Sequence, residues 1–444
     1  MVSETIAAIA TPRGVGGVGI VRVSGPLTRS IAQSILGRVP RPRFATFAPF
    51  RAADGSCIDE GIALLFPAPR SYTGEDVLEL QGHGGPVVMD LLLQRCLELG
   101  ARTARPGEFS QRAFLNGKLD LAQAEAVADL IESSTALAAR LAVRSLQGAF
   151  SRRVESLIEG LIHLRTYLEA TLDFPDEELG VSVEDVVAGD LATLLCETRR
   201  LLDEAHQGER IRDGFTVAIA GPPNAGKSSL LNALSLADAA IVTPIPGTTR
   251  DLLRVDIQVD GLPVRLVDTA GLRHSPDPVE QEGVRRARDQ IARSDLVLWV
   301  YDATKAPDPT GLADIPPGVP VTRVRNKIDL LDSPPPIPVP DQDEVSLSAL
   351  TGEGLDRLNG LIKARAGLDA MAEGAFVARR RHLEALEQGL AHLQSAEKAL
   401  EARLGLELIA LDLAAAQRAF GEITGVFTPD DLLGRIFGSF CIGK

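Results

Sequence analysis

Short apolar runs alternate with glycine and proline turns in residues 1–118, a pattern typical of a small α+β domain. Three runs predict strands and a fourth predicts a helix: Thr5 to Ala10, Ile20 to Val23, Val77 to Leu80 and, for the helix, Val87 to Leu99. Gly14, Gly16 and Gly19 have the spacing of a dinucleotide fingerprint. Because a strand and not a helix follows Gly19, these glycines predict a tight β connection instead.

Residues 119–206 are rich in Ala, Leu, Glu and Arg, and the same character returns in residues 376–437. In the second block, leucines at helical spacing give one apolar face: Leu383, Leu386, Leu390, Leu393, Leu400 and Leu404. An α/β-like segment separates the blocks, so we expect a helical domain, residues 119–210 and 368–444, with a second domain, residues 211–367, inserted into it. Gln207 to Gly214 is the expected linker, and Pro334 to Pro336 mark a surface loop.

Length, charge and cysteine usage narrow the class of protein. A chain of 444 residues exceeds one domain, and 45% hydrophobic with 24% charged residues is typical of soluble globular proteins. The net charge of −14 argues against broad attraction to nucleic acid or anionic membranes, so any nucleic-acid contact must be local or supplied by a partner. The four cysteines form no C-x-x-C pair, which favours reduced thiols. Without a membrane-spanning apolar run or a signal-like start, the expected location is the cytoplasm, with no membrane association.

The segment Gly221 to Ser228 reads G-x-x-x-x-G-K-S and lies between a strand-like run, Phe215 to Ala220, and a helix-like run, Ser229 to Leu234. That order predicts a phosphate-binding loop whose main-chain N–H groups and helix N-terminus face a polyphosphate. Lys227 is expected to reach the outer phosphates, and Ser228 to bind Mg²⁺.

Further motifs follow in the order of a GTP-binding domain. Asp268 to Gly271 read D-T-A-G after a strand-like run, and Asn326 to Asp329 read N-K-I-D after another. Asp329 can accept hydrogen bonds from two adjacent donors of guanine that adenine lacks, so the predicted nucleotide is GTP. Ser348 and Ala349 are expected to support the guanine ring through the main chain.

The polar loop Thr243 to Asp251 lies between the first two motifs, where a switch would close over the γ-phosphate. Thr249 is the expected second hydroxyl ligand of Mg²⁺. Leu272 follows Gly271, so the glutamine that orients water in Ras-like enzymes has no counterpart, and another group must assist hydrolysis.

These motifs resemble those of the MnmE (TrmE) family of bacterial tRNA-modification GTPases along essentially the whole chain. The family's phosphate loop, Gly-Thr-Thr-Arg-Asp switch, Asp-Thr-Ala-Gly motif and terminal Cys-x-Gly-Lys are matched by Gly221 to Ser228, Gly247 to Asp251, Asp268 to Gly271 and Cys441 to Lys444. The resemblance implies a multidomain α/β + α fold: an N-terminal α+β folate-binding domain, residues 1–118, and a helical domain with an inserted Ras-like P-loop GTPase domain.

The resemblance also implies an activity and partners. The implied partners are a second copy of the chain, in a homodimer formed through the N-terminal domain, and a flavoprotein, MnmG. The chain and MnmG form a heterotetramer that binds tRNA. The complex adds aminomethyl-type groups, including carboxymethylaminomethyl, to C5 of the wobble uridine, position 34. A tetrahydrofolate derivative, 5-formyl or 5,10-methylene, is the implied cofactor.

The resemblance further assigns site residues. The GTP contacts it implies together with the motifs are Asn224, Ala225, Gly226, Lys227, Ser228, Ser229, Thr243, Pro244, Ile245, Pro246, Gly247, Thr248, Thr249, Asp268, Thr269, Ala270, Gly271, Asn326, Lys327, Asp329, Ser348, Ala349 and Leu350. A K⁺ ion takes the place of an arginine finger in this family, and its implied ligands are Asn224, Thr243, Ile245 and Thr248. The folate-binding positions are Arg22, Glu79, Lys118 and Lys444.

Two implied catalytic residues have alternatives. Glu280 matches the glutamate that positions the attacking water, but Asp277 and Glu282 are close rivals in the sequence. Cys441 is either a nucleophile or a packing residue. No His or basic pair is its neighbour in the sequence, so nothing there argues for a lowered thiol pKa. A different function also remains open at this point: a regulatory GTP-binding switch for ribosome or RNA assembly, without modification chemistry. A pure switch needs neither the folate-type residues nor the terminal tetrapeptide.

Overall fold

The computed structural model describes residues 4–12, 14–173, 182–237, 254–268, 288–305, 312, 315–331, 343–367, 375–426 and 430–443. The chain divides into two compact units. The first consists of Met1–Ala128, Ser145–Leu195 and Gln388–Lys444, and the second of Asp129–Arg144 and Cys196–Glu387. The domain boundaries at residues 118, 210 and 367 stay a prediction. No helix in the described ranges is long and apolar enough to cross a membrane.

The first unit contains a six-stranded sheet with the order β3-β4-β5-β2-β1-β6. Its strands are β1 (Ile6–Ile9), β2 (Gly16–Ser24), β3 (Thr46–Arg51), β4 (Cys57–Phe66), β5 (Val77–Gly84) and β6 (Arg102–Thr103). All neighbours are antiparallel except β1 and β6, which are parallel. The three predicted strands are therefore confirmed. The predicted glycine connection is only partly correct: Gly14 lies between β1 and β2, but Gly16 and Gly19 lie within β2, where the pairing with β5 shifts register.

Two helices, α1 (Thr28–Leu36) and α2 (Pro86–Glu98), pack on one face of this sheet. Strand alternation decides which residues face them: Val21 and Val23 of β2 are fully buried, whereas Arg22 between them lies on the other face. The predicted helix Val87 to Leu99 corresponds to α2. One face of the sheet is thus left free of these two helices, and it carries the charged residues discussed below.

The remaining helices before the second sheet are α3 (Glu108–Leu115), α4 (Leu121–Glu132), α5 (Ala136–Leu146), α6 (Ala149–Asp173) and α7 (Val183–Asp213). Helix α7 continues through Gln207 to Asp213, so the predicted linker over Gln207 to Gly214 is wrong. The cause is Gly208, which signalled a loop but lies inside the helix, where a Cβ would come within 2.2 Å of the Phe376 oxygen. A turn begins only at Gly214, with φ 82°.

After the second sheet the chain forms α10 (Arg380–Glu401), α11 (Leu406–Thr424) and α12 (Asp430–Gly438), preceded by α9 (Leu355–Arg365) of the second unit. Leu393 of α10 is fully buried, as its spacing predicts, but Leu404 lies beyond the end of α10 and is 61% exposed. The apolar face therefore ends before Leu404. Gly389 is required by packing in the first unit, because a Cβ there would lie 2.0 Å from the Phe420 ring.

The second unit contains a six-stranded sheet with the order β12-β11-β10-β7-β9-β8. Its strands are β7 (Phe215–Ala220), β8 (Arg254–Val259), β9 (Leu262–Asp268), β10 (Leu296–Asp302), β11 (Val321–Asn326) and β12 (Glu344–Ser346). Only β8 runs antiparallel to its neighbour. All seven residues of β10 are buried, as expected for a central parallel strand. The carboxyl ends of β7, β10, β11 and β12 meet at one edge, which is where ligands bind in such sheets.

Candidate functional site

The phosphate-loop motif lies between β7 and helix α8 (Lys227–Ala237), and two of its glycines are required by space as well as by conformation. Gly221 has φ 138°, and a Cβ there would come within 2.1 Å of the Val300 oxygen. Gly226 has φ 94°, and its Cβ would lie 2.2 Å from Asn326 Nδ2. The loop is therefore packed against two neighbouring strands and accepts no side chain at either position.

The polar residues of the loop lie at its open side. Asn224 is exposed and has a left-handed main chain with φ 62°. Lys227 Nζ donates to the oxygens of Gly221 and Pro222, at 2.9 and 3.0 Å. Ser228 is exposed in the first turn of α8, which begins at Lys227, two residues before the predicted start. An ammonium group, a hydroxyl and a helix N-terminus therefore meet at the loop.

Asn326 joins the guanine motif to the phosphate loop. Its side chain is almost completely buried, and its Nδ2 donates to the Ala225 oxygen at 2.9 Å. Its Oδ1 accepts a hydrogen bond from the Ala349 N–H at 3.0 Å. Asn326 thus forms a bracket, that is, a side-chain link between the guanine motif, the phosphate loop and the loop at Ala349. The Ala349 N–H, which was predicted to support guanine, donates its hydrogen bond to Asn326.

Lys327 extends this connection through its ammonium group. Lys327 Nζ lies 2.6 Å from the Asn224 oxygen and 2.8 Å from Asp302 Oδ2. The hydrogen bond from Lys327 lowers the pKa of Asp302 to about 2, against a partial opposing effect of burial. The N–H and hydroxyl of Thr304 donate to the other carboxylate oxygen, at 3.0 and 2.7 Å. Asp302 is therefore ionised and fixed in orientation.

Asp329 lies in a short 3-10 helix, Ile328–Leu330, and its side chain is exposed. The fully buried Ser348 donates its hydroxyl to Asp329 Oδ1 at 2.5 Å. This bond orients the carboxylate that was predicted to bind guanine. Leu350, another predicted contact, is 85% exposed at the same edge.

Several predicted residues lie outside the described part of the chain. These are Thr243, Pro244, Ile245, Pro246, Gly247, Thr248, Thr249, Thr269, Ala270, Gly271, Glu280 and Lys444. The main chain of Asp268 ends β9 and is in register with Ile219 of β7, immediately before the phosphate loop. The sheet thus brings the Asp268 main chain to the correct edge.

The first unit contains a second polar site on the face of its sheet opposite α1 and α2, where Phe109 of α3 packs against Ile6 and Ala8. Arg22 and Glu79 are register neighbours on β2 and β5, and Arg22 Nε donates to Glu79 Oε1 at 3.0 Å. The Arg22 guanidinium carbon lies 5.5 Å from the centre of the Tyr72 ring and 5.7 Å from that of Phe109. Burial raises the pKa of Tyr72, whose hydroxyl is hydrogen-bonded to Ser110.

The carboxyl-terminal tail reaches this site. Arg22 NH1 lies 3.3 Å from the oxygen of Gly443, which has φ 99° and approaches Ile9 closely. The Gly107 N–H donates to the Cys441 oxygen at 3.4 Å, while the Cys441 side chain is exposed. Lys118, predicted for the same site, is exposed, and its side chain lies near Gly74. The structure therefore brings Arg22, Glu79 and the tail together.

Comparisons with known proteins show the family of the chain. Residues 121–441 match the family model of the MnmE helical domain, and residues 5–118 match that of the GTP-binding protein TrmE N-terminus. The chain belongs to the MnmE family. One relative, the tRNA modification GTPase MnmE of Methylococcus capsulatus, is 57% identical over 444 residues, covering 99% of each chain. The protein of the same name from Marinobacter nauticus is 54% identical over 452 residues, covering 100% of this chain and 99% of that one.

Among solved structures, the G domain of the T. maritima FeoB iron transporter is similar at 27% identity, with a TM-score of 0.27. The match covers 34% of this chain and 98% of the FeoB G-domain chain. The strand order and the two MnmE family matches are the stronger observations. They confirm the predicted fold class, an N-terminal α+β domain and a helical domain with an inserted α/β GTPase domain.

Some residues of these MnmE sites were missed by sequence reasoning. Asp302 ends an apolar run, and Asp268 and Asn326 also end strand-like runs, so the same strand-end rule would have found it. Tyr72 and Phe109 carry no such signal, because nothing in their neighbourhood in the sequence indicates that they flank Arg22. Gly443 belongs to a recognised MnmE motif, but its approach to Ile9 depends on the tertiary fold.

Proposed function

We propose that this MnmE-family chain is a K⁺-stimulated GTPase that acts with an MnmG-type flavoprotein on certain tRNAs. In this proposal the complex adds an aminomethyl or carboxymethylaminomethyl group to C5 of uridine 34, with a one-carbon unit from tetrahydrofolate. The observation that carries it is the combination, in one chain, of residues suited to guanine with 54–57% identity to tRNA modification GTPases over the full length. A GTP-hydrolysing role in tRNA modification follows from the family.

The described residues fit GTP. Gly221 and Gly226, both with positive φ, add no side chain where the loop meets the sheet, and the start of α8 is available to phosphate oxygens. Lys227 supplies a positive charge at the loop, and Ser228 a hydroxyl suited to Mg²⁺. Asp329, held by Ser348, can accept the two guanine N–H groups, which gives the site its preference for guanine.

For hydrolysis we propose that Asn224 and the carbonyl or hydroxyl groups of Thr243, Ile245 and Thr248 hold K⁺. Asn224 is exposed at the loop and its main chain is fixed by Lys327, which suits a carboxamide ligand. A bound K⁺ supplies positive charge where charge develops between the β- and γ-phosphates. Mg²⁺ would be held by Ser228 and Thr249, and Glu280 would orient the attacking water.

The cation role is tested by comparing hydrolysis rates in K⁺ and Na⁺ for the parent chain, for Asn224→Ala and for a control, Asn232→Ala. Asn232 is exposed on α8, so its loss removes the same group without touching the loop. Equal rates in the two salts, or K⁺ stimulation that survives in Asn224→Ala, would refute the role.

For the one-carbon donor we propose that Arg22, Glu79, Lys118 and Lys444 bind the folate. Glu79 provides a carboxylate for the pterin edge, and the cations suit the glutamate tail. The aromatic rings of Tyr72 and Phe109, which lie beside the Arg22 guanidinium, make one side of the site partly apolar. Binding of 5-formyltetrahydrofolate should be lost in Glu79→Gln. It should be kept in the control Asp76→Asn, because the Asp76 carboxylate pairs with Arg29 and not with Arg22.

Cys441 is proposed either as a nucleophile or as part of the packing of the tail. Its thiol is exposed at the end of a tail held near Arg22. Cys441→Ser should abolish modification if the thiol reacts, while Cys196→Ser, another exposed thiol, serves as the control. Full modification by Cys441→Ser would leave only the packing role.

The homodimer is proposed to form through the N-terminal domain. The loop before β2 and helix α2 line a cavity of about 650 Å³, and two of its lining residues, Val15 and Val18, are 93% and 62% exposed. Exposed valines beside an apolar cavity are typical of an interface. Val15→Asp with Val18→Asp should yield a monomer in light scattering, and a persistent dimer would exclude this face.

The whole proposal is tested by nucleoside analysis of tRNA from cells that lack this chain. Loss of the C5 modification of uridine 34, restored by the parent gene, is the expected result. Normal modification in such cells would favour the regulatory GTP-binding switch instead. The enzyme and its flavoprotein partner are proposed to work in the cytoplasm, where four reduced cysteines are stable.

A further inference from the structure

The charge of the chain is distributed unevenly. Residues 5–53 contain seven arginines and no Asp, Glu or Lys, although the whole protein carries a net charge of −14. Such a segment is locally cationic on an anionic molecule. Nucleic-acid contact by this chain must be local, and this segment is where a local cationic surface lies.

The arginines of residues 1–118 that the structure describes fall into two groups. Six of them form ion pairs with carboxylates: Arg22, Arg29, Arg95, Arg102, Arg105 and Arg112. The other five, Arg38, Arg41, Arg43, Arg51 and Arg70, are exposed, and among the described residues none of them pairs with a carboxylate. We call these five the arginine edge, because they surround the edge strand β3 of the first sheet.

Within the arginine edge, Arg43 is held by main-chain hydrogen bonds and, among the described residues, not by an opposite charge. Arg43 has φ 59°, its N–H donates to the Leu65 oxygen at 2.8 Å, and its guanidinium donates to the Arg70 oxygen. Arg51 ends β3, which at about 3.4 Å per residue places it roughly 17 Å from Thr46 at the start of the strand. The charges of Arg43 and Arg51 thus lie near opposite ends of the edge strand.

Aromatic rings are interleaved with these charges. Phe44 and Phe47 are 57% and 67% exposed, and the Arg41 guanidinium carbon lies 5.6 Å from the centre of the Phe44 ring. Strand alternation turns Phe47 to the face opposite α1 and α2, beside Ile62 of β4, while Phe50 is buried in the core. Exposed rings among unpaired arginines are the composition of surfaces that stack bases and bind phosphates.

We propose that the arginine edge binds the phosphate backbone of tRNA and that Phe44 and Phe47 stack on unpaired bases. This inference rests on the proposed role in tRNA modification and assigns the RNA to a surface of this chain. Guanidinium groups suit phosphate because each can make two parallel hydrogen bonds. The absence of neighbouring carboxylates among the described residues leaves these groups available to an external anion.

The test uses the full-length chain and an unmodified tRNA transcript, with affinity measured over a range of salt concentrations. The variant Arg38→Gln, Arg41→Gln, Arg51→Gln removes three charges without touching the Arg43 hydrogen bonds. We expect affinity to fall at least tenfold. The slope of log K against log salt should decrease by about 2 to 3, because each phosphate contact contributes about 0.7 to 0.9.

A matched control removes three exposed arginines elsewhere: Arg140→Gln, Arg144→Gln, Arg357→Gln. Both triple variants change the net charge equally. Like the residues of the arginine edge, these three arginines are exposed and lack ion pairs within the described ranges. The control should keep both affinity and salt slope. A second variant, Phe44→Leu with Phe47→Leu, should weaken binding roughly tenfold with an unchanged slope, since stacking involves no counterion release.

Three outcomes would overturn the inference: no binding of the transcript by the parent chain, equal losses in the two triple variants, or unchanged affinity and slope in the arginine-edge variant. If the arginine-edge variant still binds the tRNA transcript with parental affinity but no longer binds the flavoprotein, the surface recognises an acidic protein instead. Because the binding assay needs neither GTP nor folate, failure of the proposed chemistry would leave its result interpretable.

Discussion

The ammonium group of Lys327 lies 2.6 Å from the main-chain oxygen of Asn224, so the guanine motif is hydrogen-bonded directly to the phosphate loop. Asp302 holds the same ammonium from the other side. Asn224 adopts a left-handed conformation that costs energy in a non-glycine residue. The hydrogen bond from Lys327 helps to stabilise that conformation and links base recognition to the position of the proposed K⁺ ligand.

Asp302→Asn is predicted to weaken nucleotide binding about tenfold, because a charge-assisted hydrogen bond of about 1.5 kcal/mol or more to Lys327 is replaced by a neutral one. The dissociation rate of a fluorescent GDP analogue measures the effect. Asp256→Asn is the matched control, since Asp256 forms an exposed ion pair with Arg265 across β8 and β9 of the same unit. Identical rates for the two variants would remove Asp302 from the site.

Gly226→Ala is predicted to abolish nucleotide binding. A Cβ would lie 2.2 Å from Asn326 Nδ2 and would break the bracket between the loops, in a left-handed position that alanine also disfavours. Gly360→Ala makes the same change in helix α9, with nothing within 4 Å, and should raise stability by up to about 1 kcal/mol. Calorimetric titration with GDP and thermal unfolding distinguish the two variants, and detectable GDP affinity in Gly226→Ala contradicts the bracket.

Gly443→Ala is predicted to displace the terminal tail and to weaken folate binding at least tenfold. Its Cβ would lie 2.5 Å from the Ile9 oxygen, and φ 99° is strained for alanine. Gly438→Ala, with nothing within 4 Å, is the control. Titration with 5-formyltetrahydrofolate, followed by fluorescence, measures both. Equal affinities would show that the tail position does not matter for this site.

Glu108 gives a pH prediction for the first unit. Burial alone would raise the pKa of this carboxyl, but hydrogen bonds from Arg102 and from the Arg105 N–H outweigh burial and lower the pKa to about 2, from an ordinary value of 4.5. A lowered folded-state pKa stabilises the protein fully above about pH 4.5, and this contribution is lost as the pH falls toward 2.

Glu108→Gln should therefore unfold more easily at pH 7, by about 3 kcal/mol, because the Arg102 charge loses its buried partner. Its unfolding temperature should also fall less steeply than that of the parent between pH 5 and pH 3. Glu98→Gln removes an exposed carboxylate and serves as the control. Parallel curves for Glu108→Gln and the parent would contradict the assignment.

The sequence predicted the local elements of the site well. Residues 215–228 encode a strand, a glycine loop and a helix start through contiguous patterns, which can be read without knowledge of the tertiary structure. The same holds for β1, β2 and α2. Where a local signal had two meanings, prediction was wrong: Gly208 indicated a linker, but the residue is a close-packing position inside α7.

By itself, then, the sequence determined that this chain has a phosphate loop, a guanine motif, an inserted α/β domain and a cysteine-bearing tail, because each is written in neighbouring residues. Only the tertiary structure decided that Lys327 bonds to Asn224, that Gly443 lies beside Arg22, and that five arginines remain without carboxylate partners among the described residues. Those relationships join residues up to 421 positions apart. They depend on strand order and packing, which bring distant residues together and which no local pattern specifies.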